Sequence, residues 1–309
     1  MTQDVSFESK GVLAFFWSAI NTGGTQFIGL FFSVILARLL VPEDFGNMAI
    51  IVFILLVSNI FVDSGLSHSL IRDQKVTKLD YDSVFYFSLV IAAICSVAIY
   101  CSAEYFAVFF NSPVLKKLIQ LGSISPFIYA LMAINTTIMI KNLNFKLKAK
   151  LSIASVLVSG LIAVAMAFSG YGVWSLLTMH LLTPALMMLL MYINVDWKPN
   201  FHFSMYSIVH HIPFGLKLSL SNLANILHKK SYVLVVGKSF STEYAGYFSR
   251  ADHLKDLPTS VLGKTIMRAA YPVLSMIQDD PQYLRNYNIK IIKFTALLSI
   301  PVMLGLAAI

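Results

Sequence analysis

Three cations stand inside apolar segments of the second half of the chain. Lys217 lies in one such segment, and Lys264 and Arg268 lie in the next. A Lys or Arg at the centre of a bilayer costs roughly 2.5–3.5 kcal/mol, so three facing lipid would cost about 8–10 kcal/mol. That approaches the stability of a whole domain, roughly 5–15 kcal/mol. We therefore interpret Lys264 and Arg268 as lining a cavity, although snorkelling or pairing with Asp256 stays open, and Lys217 is close enough to a helix end to snorkel.

Polar side chains follow one face of two predicted helices. The first apolar segment carries Ser18, Thr22, Thr25, Gly29 and Ser33, flanked by Asn21 and Gln26. The segment of Lys217 carries Ser221, Asn225 and His228. Steps of three or four residues place each set on one helical face. Such a face serves either close helix packing or the lining of a polar cavity, and both interpretations stay open.

A cavity lined by cations and hydroxyls suits an anionic ligand that forms many hydrogen bonds. Lys and Arg pair with phosphate oxygens, and Asn, Gln, Ser and Thr match sugar hydroxyls. The candidate substrate-cavity residues are Lys217, Lys264, Arg268, Asn21, Thr25, Gln26 and Asn225. Their chemistry favours a lipid diphosphate that carries sugars, although nucleotides or anionic drugs would also satisfy it.

Other reactive residue types lack the surroundings that catalysis requires. Asp80 and Asp82 have the spacing of a metal-binding acidic pair, but we interpret them as part of a solvated loop too short for a nucleotide-sugar domain. His202, His210 and His211 could form a metal cluster, yet no carboxylate adjoins them in sequence. We therefore predict no catalytic residue, no bound metal and no cofactor, with H⁺ or Na⁺ as the candidate coupling ion.

The composition indicates that these residues lie on helices that span a membrane. Hydrophobic residues make up 57% of the 309 residues and charged residues 12%, whereas a soluble domain carries about 25% charged residues. A soluble globule of this composition would expose large apolar patches, and two cysteines are too few for a disulfide scaffold. We therefore predict an all-α integral membrane protein.

Apolar runs place the membrane passes, because a helix needs about 20 apolar residues to cross a bilayer. Runs without charge cover residues 12–36, 45–62, 83–103, 118–140 and 151–195, the last interrupted only by His180. Residues 169–172 divide the last run into two helices joined by a tight turn, which gives six passes. Pro126 lies inside the fourth run and would kink its helix. Three weaker segments, at 212–236, 256–277 and 294–309, bring the total to about nine passes.

The first run is too long for the core of a cleavable signal peptide, so we expect a retained helix. With the N-terminus inside, the inner loops hold eleven cations: Arg72, Lys75, Lys78, Lys141, Lys146, Lys148, Lys150, Lys198, Arg285, Lys290 and Lys293. The outer loops hold six: Arg38, Lys116, Lys117, Lys238, Arg250 and Lys255. The excess predicts a cytoplasmic N-terminus.

An internal similarity at an offset of 200 residues relates 37–46 to 237–246. Without a gap, Arg38 aligns with Lys238, Glu43 with Glu243 and Gly46 with Gly246. A chance similarity stays open. Six helices per copy would make a parallel repeat about an axis along the membrane normal. We therefore predict a six-helix lobe at 1–200 and an incomplete lobe at 201–309, and expect a truncated form of a protein with about twelve passes.

The segment 37–46, ARLLVPEDFG, resembles the signature of the polysaccharide transporter (Wzx-type flippase) branch of the multidrug/oligosaccharidyl-lipid/polysaccharide (MOP) exporter superfamily. Its motif residues are Arg38, Pro42, Asp44 and Gly46. Residues 61–66, FVDSGL, and the stretches at 247–251, 257–258 and 271–275 resemble later conserved segments of that family. The resemblance runs from about residue 9 to the end of the chain.

This resemblance implies a MOP/MATE-like bundle in which two six-helix lobes form a V around a cation-lined cavity. It implies a flippase, not an enzyme, that moves undecaprenyl-diphosphate-linked oligosaccharide repeat units across the bacterial cytoplasmic (inner) membrane by alternating access. The products would be O-antigen, capsule or exopolysaccharide. Its partners would be the lipid bilayer and the oligosaccharide lipid. A polysaccharide polymerase and chain-length proteins are candidate protein partners, and no nucleic acid is expected to bind.

Three alternatives stay open at this stage. A multidrug/cation antiporter of the same superfamily would need an acidic cavity, and the first lobe has few acidic residues within its passes. A membrane polymerase or transferase would need a large external loop, and the loops here are short. An inactive fragment or assembly partner is the third alternative.

Overall fold

The computed structural model describes residues 2–256 and scattered positions between 282 and 305, and this part of the chain is helical throughout its regular structure. The helices are α1 (Thr2–Leu39), α2 (Pro42–Asp63), α3 (Leu66–Arg72), α4 (Lys78–Phe109), α5 (Val114–Gly122), α6 (Ser125–Lys141), α7 (Phe145–Phe168), α8 (Val173–Asn194) and α9 (Met205–Ser239). A further helix, α10, covers 242–256. The chain divides into two compact units, Met1–Tyr247 and Phe248–Ile309. The first contains the six passes and α9, and most of the second lies outside the described residues.

Six helical segments are long and apolar enough to cross a membrane: Phe16–Leu39, Pro42–Asp63, Lys78–Phe109, Val114–Lys141, Phe145–Phe168 and Val173–Asn194. They confirm the six passes predicted before residue 195. The helices of the first five passes extend beyond their uncharged runs, whereas α8 ends at Asn194, within its run. The seventh predicted pass is helical as α9, but it is not among these six segments. The eighth and ninth passes fall almost wholly outside the described residues.

The fourth pass is two helices rather than one. α5 ends at Gly122 and α6 begins at Ser125, and Pro126 occupies the first turn of α6. The first turn of a helix leaves its N–H groups without helical partners, so a proline there removes no hydrogen bond. The prediction that Pro126 kinks a helix from within was therefore wrong.

The turn between α7 and α8 lies where the sequence predicted it. Gly170 has φ 80° and Gly172 has φ 54°, a left-handed region that glycine enters without steric cost. The turn allows α7 and α8 to pack side by side, and the Ser159 and Thr183 hydroxyl oxygens lie 2.6 Å apart between them. Phe32 of α1 lies so close to Gly160 that a Cβ there would collide with its ring.

Contacts made by side chains show that successive loops lie alternately at the two opposite ends of the first unit. At one end Lys238 donates to the Phe109 carbonyl at 2.8 Å. At the other end Lys141 donates to the Leu70 carbonyl at 3.0 Å, and the Ser204 N–H donates to the Ser83 hydroxyl at 2.9 Å. Successive helices therefore run between the same two ends, as membrane passes must.

Helix α9 packs on its neighbours at both ends and is exposed between them. Near its start the Gly215 backbone lies against Gly65, where a Cβ on either residue would collide with the other backbone. Near its end Gly237 lies against Ile50 and Phe110. Between these contacts most side chains at 220–229 are exposed. The middle of α9 is thus the least covered part of this helix.

Candidate substrate cavity

A cavity of about 500 Å³ lies within the first unit, between α1, α2, α6, α7 and α8. Its lining residues are Thr25, Gly29, Met48, Val52, Asn59, Ser125, Tyr129, Val156, Leu176, Met179, His180, Thr183 and Pro184. Four of these helices contribute a polar residue to an otherwise apolar wall, and α7 contributes Val156. Such a combination is typical of a small-molecule site, which pairs apolar walls with a few placed polar groups.

The hydroxyl groups of the cavity are held by the helices that carry them. Thr25 donates to the Asn21 carbonyl at 2.6 Å, and Thr183 donates to the Met179 carbonyl at 2.7 Å. A hydroxyl whose hydrogen is engaged this way still has acceptor capacity. These two threonines therefore offer mainly acceptors to a ligand.

Asn59 leaves an unmet hydrogen-bonding demand in the cavity wall. Its Oδ1 is buried and has no hydrogen-bond partner. A buried acceptor without a partner costs roughly 1–3 kcal/mol, a cost that a ligand hydroxyl or a water would remove. Asn21 Oδ1, one turn before Thr25 on α1, is in the same state. Both amides are thus suited to accept a hydrogen bond from a bound molecule.

His180 and Tyr129 add an imidazole and a phenol to the wall. Each group can donate or accept a hydrogen bond. The described lining contains no Asp, Glu, Lys or Arg. The few polar groups of the cavity are therefore uncharged when His180 is neutral, which suits hydroxyl-rich ligands better than cations.

The structure brings only part of the predicted cavity set together. Thr25 lines this cavity, whereas Asn21 and Gln26 neighbour it on α1 without lining it. Lys217 and Asn225 are exposed on α9, away from this wall. Lys264 and Arg268 lie outside the described residues. The role of the three cations stays a prediction.

The cavity also contains residues that the sequence analysis did not select: Asn59, Tyr129, His180 and Thr183. One of them had a visible signal, because His180 is the only interruption of the apolar run 151–195. A histidine in a membrane pass is costly and usually faces the protein interior. Asn59 and Thr183 carry no comparable signal, since single polar residues are common at helix contacts.

The motif segment of 37–46 has a structural role at one end of the helices. Arg38 is exposed in the last turn of α1, and Pro42 begins α2. The Asp44 carboxylate receives backbone hydrogen bonds from Val41 and Val173, so it caps the start of α8 as well as its own helix. Gly46 is buried against α10.

The acidic pair at 80–82 is not in a solvated loop, as the sequence had suggested. Both residues lie in the first turns of α4, where Asp80 and Thr77 form a capping box of the kind that begins many helices. Asp82 is buried and its Oδ1 accepts from the Asn200 N–H at 3.4 Å. These carboxylates therefore fix the start of α4 and the segment between α8 and α9.

Comparison with known proteins identifies relatives along most of the chain. The model of a family described as "Polysaccharide biosynthesis protein" matches residues 35–309. The succinoglycan biosynthesis transport protein ExoT of Rhizobium meliloti is 25% identical over 293 residues, which is 95% of this chain and 59% of that protein. The lipopolysaccharide biosynthesis protein WzxC of Escherichia coli is 23% identical over 99% of this chain and 62% of its own length. The teichuronic acid biosynthesis protein TuaB of Bacillus subtilis is 21% identical over 95% of this chain and 61% of its own length.

One solved structure shares the fold. It is an inward-facing multidrug resistance MATE family transporter of the MOP superfamily, with a TM-score of 0.59 and 14% identity, covering 93% of this chain and 68% of that chain. The likeness confirms the predicted all-α membrane bundle of MOP/MATE type. The chain spans about three fifths of the length of the curated relatives it matches.

Proposed function

Because this chain belongs to the polysaccharide biosynthesis protein family, we propose that it moves polyprenyl-diphosphate-linked oligosaccharide repeat units across the cytoplasmic membrane by alternating access. The relatives named for succinoglycan, lipopolysaccharide and teichuronic acid biosynthesis support a role in surface polysaccharide export. The glycan could belong to an O-antigen, a capsule or an exopolysaccharide. No chemical step is needed for such movement, so the protein acts as a transporter and not as an enzyme.

The observation that carries this proposal is the chemistry of the 500 Å³ cavity. Its polar groups are hydroxyls, an amide, a phenol and an imidazole, and its described lining has no carboxylate. Sugars present many hydroxyls that donate and accept, and Asn59 Oδ1 is a buried acceptor without a partner. The wall thus supports binding of part of an oligosaccharide by hydrogen bonds rather than by charge.

The cations of the second half of the chain would bind the diphosphate of the lipid. We assign this role to Lys217, Lys264 and Arg268, with Asn225, eight residues after Lys217 on α9, as a hydrogen-bonding group. Lys217 is exposed on α9. A guanidinium and an ammonium are the groups that phosphate oxygens pair with most strongly.

The proposed orientation places the N-terminus in the cytoplasm. The end of the first unit where Lys141 contacts Asp73, just after α3, also carries Arg72, Lys75, Lys146 and Lys198. The positive-inside rule assigns the more basic end to the cytoplasm. The outer leaflet would then receive the oligosaccharide lipid, where a polymerase and chain-length proteins would use it, and an H⁺ or Na⁺ gradient could drive the cycle.

A multidrug antiporter is the second candidate, and the fold alone allows it because the solved neighbour is a multidrug transporter. A site for cationic drugs needs carboxylates in its wall. The described lining of the cavity holds none, which favours the oligosaccharide lipid.

The test is a host strain with this gene deleted, complemented by residues 1–309, by a full-length relative, or by an empty plasmid. Lipids would be analysed by mass spectrometry, and leaflet location by glycosidase access from the periplasm. The proposal expects complete lipid-linked repeat units on the inner leaflet of the deletion strain. Accumulation on the outer leaflet, or no accumulation, would contradict it. Changing Lys264 and Arg268 to Ala should abolish export at unchanged membrane levels, and unchanged export would remove both from the site.

A further inference from the structure

Two histidines and an aspartate meet at the basic end of the first unit. His210 and His211 lie in the second turn of α9, and Asp73 follows the last residue of α3. One ligand atom from each of the three residues lies within 4.8 Å of the other two. His210 Nε2 lies 3.5 Å from Asp73 Oδ2. The fold thereby supplies the carboxylate that the histidines lack in the sequence.

We propose that Asp73, His210 and His211 form a binding site for a divalent transition metal ion of the zinc class. Two imidazoles and one carboxylate are a common ligand set for zinc, with a fourth position left to water or another ligand. Magnesium and calcium prefer oxygen ligands alone, so this set does not suit them. The site ties the start of α9 to the segment after α3.

The distances suit a metal after small side-chain shifts. Tetrahedral zinc with ligands at about 2.0–2.2 Å holds its ligand atoms roughly 3.3–3.6 Å apart. The separation of His210 from Asp73 already has this value, and the third atom lies no more than 4.8 Å from either of them. The His210 side chain is 59% exposed, so it can make this adjustment and an ion can reach it from water.

Neighbouring groups hold the three ligands in place. The Ser69 hydroxyl lies 2.8 Å from Nδ1 of the buried His211 ring, and Tyr206 stacks on the His210 ring. The Lys75 N–H donates to Asp73 Oδ1 at 2.8 Å, while Oδ2 is the oxygen that lies 3.5 Å from His210. Such outer contacts orient ligands and raise metal affinity.

One nearby cation opposes the binding of a metal. Lys141 donates to the backbone carbonyl of Asp73 at 2.7 Å, so its charge lies beside the site. Its hydrogen bonds go to backbone oxygens and leave the Asp73 carboxylate available. The site is thus expected to bind zinc reversibly rather than as a permanent structural ion.

The test measures zinc binding to the full chain, purified in detergent through a tag without histidines. Cys95 and Cys101 are free thiols, so both would be changed to Ser in every variant. Zinc would be titrated against a chromophoric chelator, with thermal unfolding recorded in parallel. The proposal expects one zinc per chain and a higher Tm with zinc, because a ligand that binds the folded state stabilises it.

Variants assign the ion to its ligands. His210→Gln and Asp73→Asn should each weaken zinc binding by about tenfold or more and abolish the zinc-dependent rise in Tm. His202→Gln is the matched control, because His202 is exposed just before α9 and outside the cluster. Zinc binding that is absent in the parent, or equal in His210→Gln and the parent, would overturn the proposal. If Asp73→Asn does not fold, the His210→Gln variant alone tests the proposal, because His210 is exposed and its replacement should not disturb folding.

Discussion

Gly46 and Gly246 lie against each other where the start of α2 meets the start of α10. A Cβ on Gly46 would collide with the Thr242 carbonyl and stand 2.9 Å from the Gly246 nitrogen. A Cβ on Gly246 would collide with the Pro42 carbonyl and stand 3.1 Å from the Gly46 nitrogen. The contact is reciprocal: Gly46 and Gly246 are 200 residues apart in sequence, and so are Pro42 and Thr242. Two copies of a parallel repeat would meet in this way about their common axis, although the repeat itself stays a prediction.

Replacing either glycine by alanine should loosen this contact. Gly46→Ala is expected to lower the free energy of unfolding by about 1–3 kcal/mol, because the new methyl group must displace backbone atoms. Thermal unfolding of the purified protein in detergent measures the loss. Gly23→Ala serves as control, since a Cβ there meets nothing within 4 Å. Equal melting temperatures for Gly46→Ala and Gly23→Ala would show that the close contact is absent in solution.

Asp44 should stabilise the start of α8 from its position on α2. Its carboxylate receives the Val173 backbone hydrogen bond, so Asp44→Ala removes a cap and should cost about 0.5–2 kcal/mol. Asp44→Asn keeps one acceptor and should cost less. Glu43→Gln is a nearby control, because Glu43 is exposed and its Oε1 lies 3.5 Å from the Thr242 hydroxyl. A melting temperature for Asp44→Ala no lower than that of Glu43→Gln would remove the capping role.

Lys141 should hold the segment after α3 in place. Its ammonium donates to the carbonyls of Leu70 and Asp73, and hydrogen bonds from a charged group are worth about 1.5–3 kcal/mol when shielded from water. Because Lys141 is only half-buried, Lys141→Met should cost toward the lower end of that range. Lys150→Met removes an exposed cation in the second turn of α7 and should change stability little. Hydrogen exchange at residues 70–75 would locate the effect, and unchanged exchange in Lys141→Met would count against it.

The sequence predicted the passes well because burial in lipid leaves a local signature. Uncharged runs identified six membrane helices, and glycines at 170 and 172 marked the turn within the longest run. The break between α5 and α6 was missed, because both sides of Gly122 are apolar. Hydropathy indicates whether a segment lies in an apolar environment, but it does not show whether the backbone of that segment bends.

The substrate cavity and the cluster of Asp73, His210 and His211 were less predictable, because both depend on contacts between distant segments. Asp73 lies more than a hundred residues from His210 in sequence, so no local pattern joins them. Asn59 looked like an ordinary polar residue in a pass until the fold left its Oδ1 buried without a partner. Thr25 was found because its helical face repeats small and polar residues. Only residues with a periodic or charged signal could be selected from the sequence.

Asn59 gives the most direct test of the cavity. Asn59→Leu removes a buried amide whose Oδ1 has no partner, so the protein should be as stable as the parent or more stable. The same change takes a hydrogen-bonding group from the cavity wall and fills part of its volume. If the oligosaccharide binds there, export should fall several-fold to about tenfold, the value of one hydrogen bond of about 0.5–1.5 kcal/mol.

Ser96→Ala separates the two effects. The Ser96 hydroxyl is also buried without a partner, but it lies on α4 and outside the cavity lining. Its removal should leave both stability and export close to those of the parent. Export would be measured in the deletion strain as surface polysaccharide per unit of membrane protein, with each variant at matched levels. A fall in Asn59→Leu but not in Ser96→Ala places the cavity on the transport path, whereas normal export in Asn59→Leu would place the oligosaccharide elsewhere, because the altered wall could not have touched it.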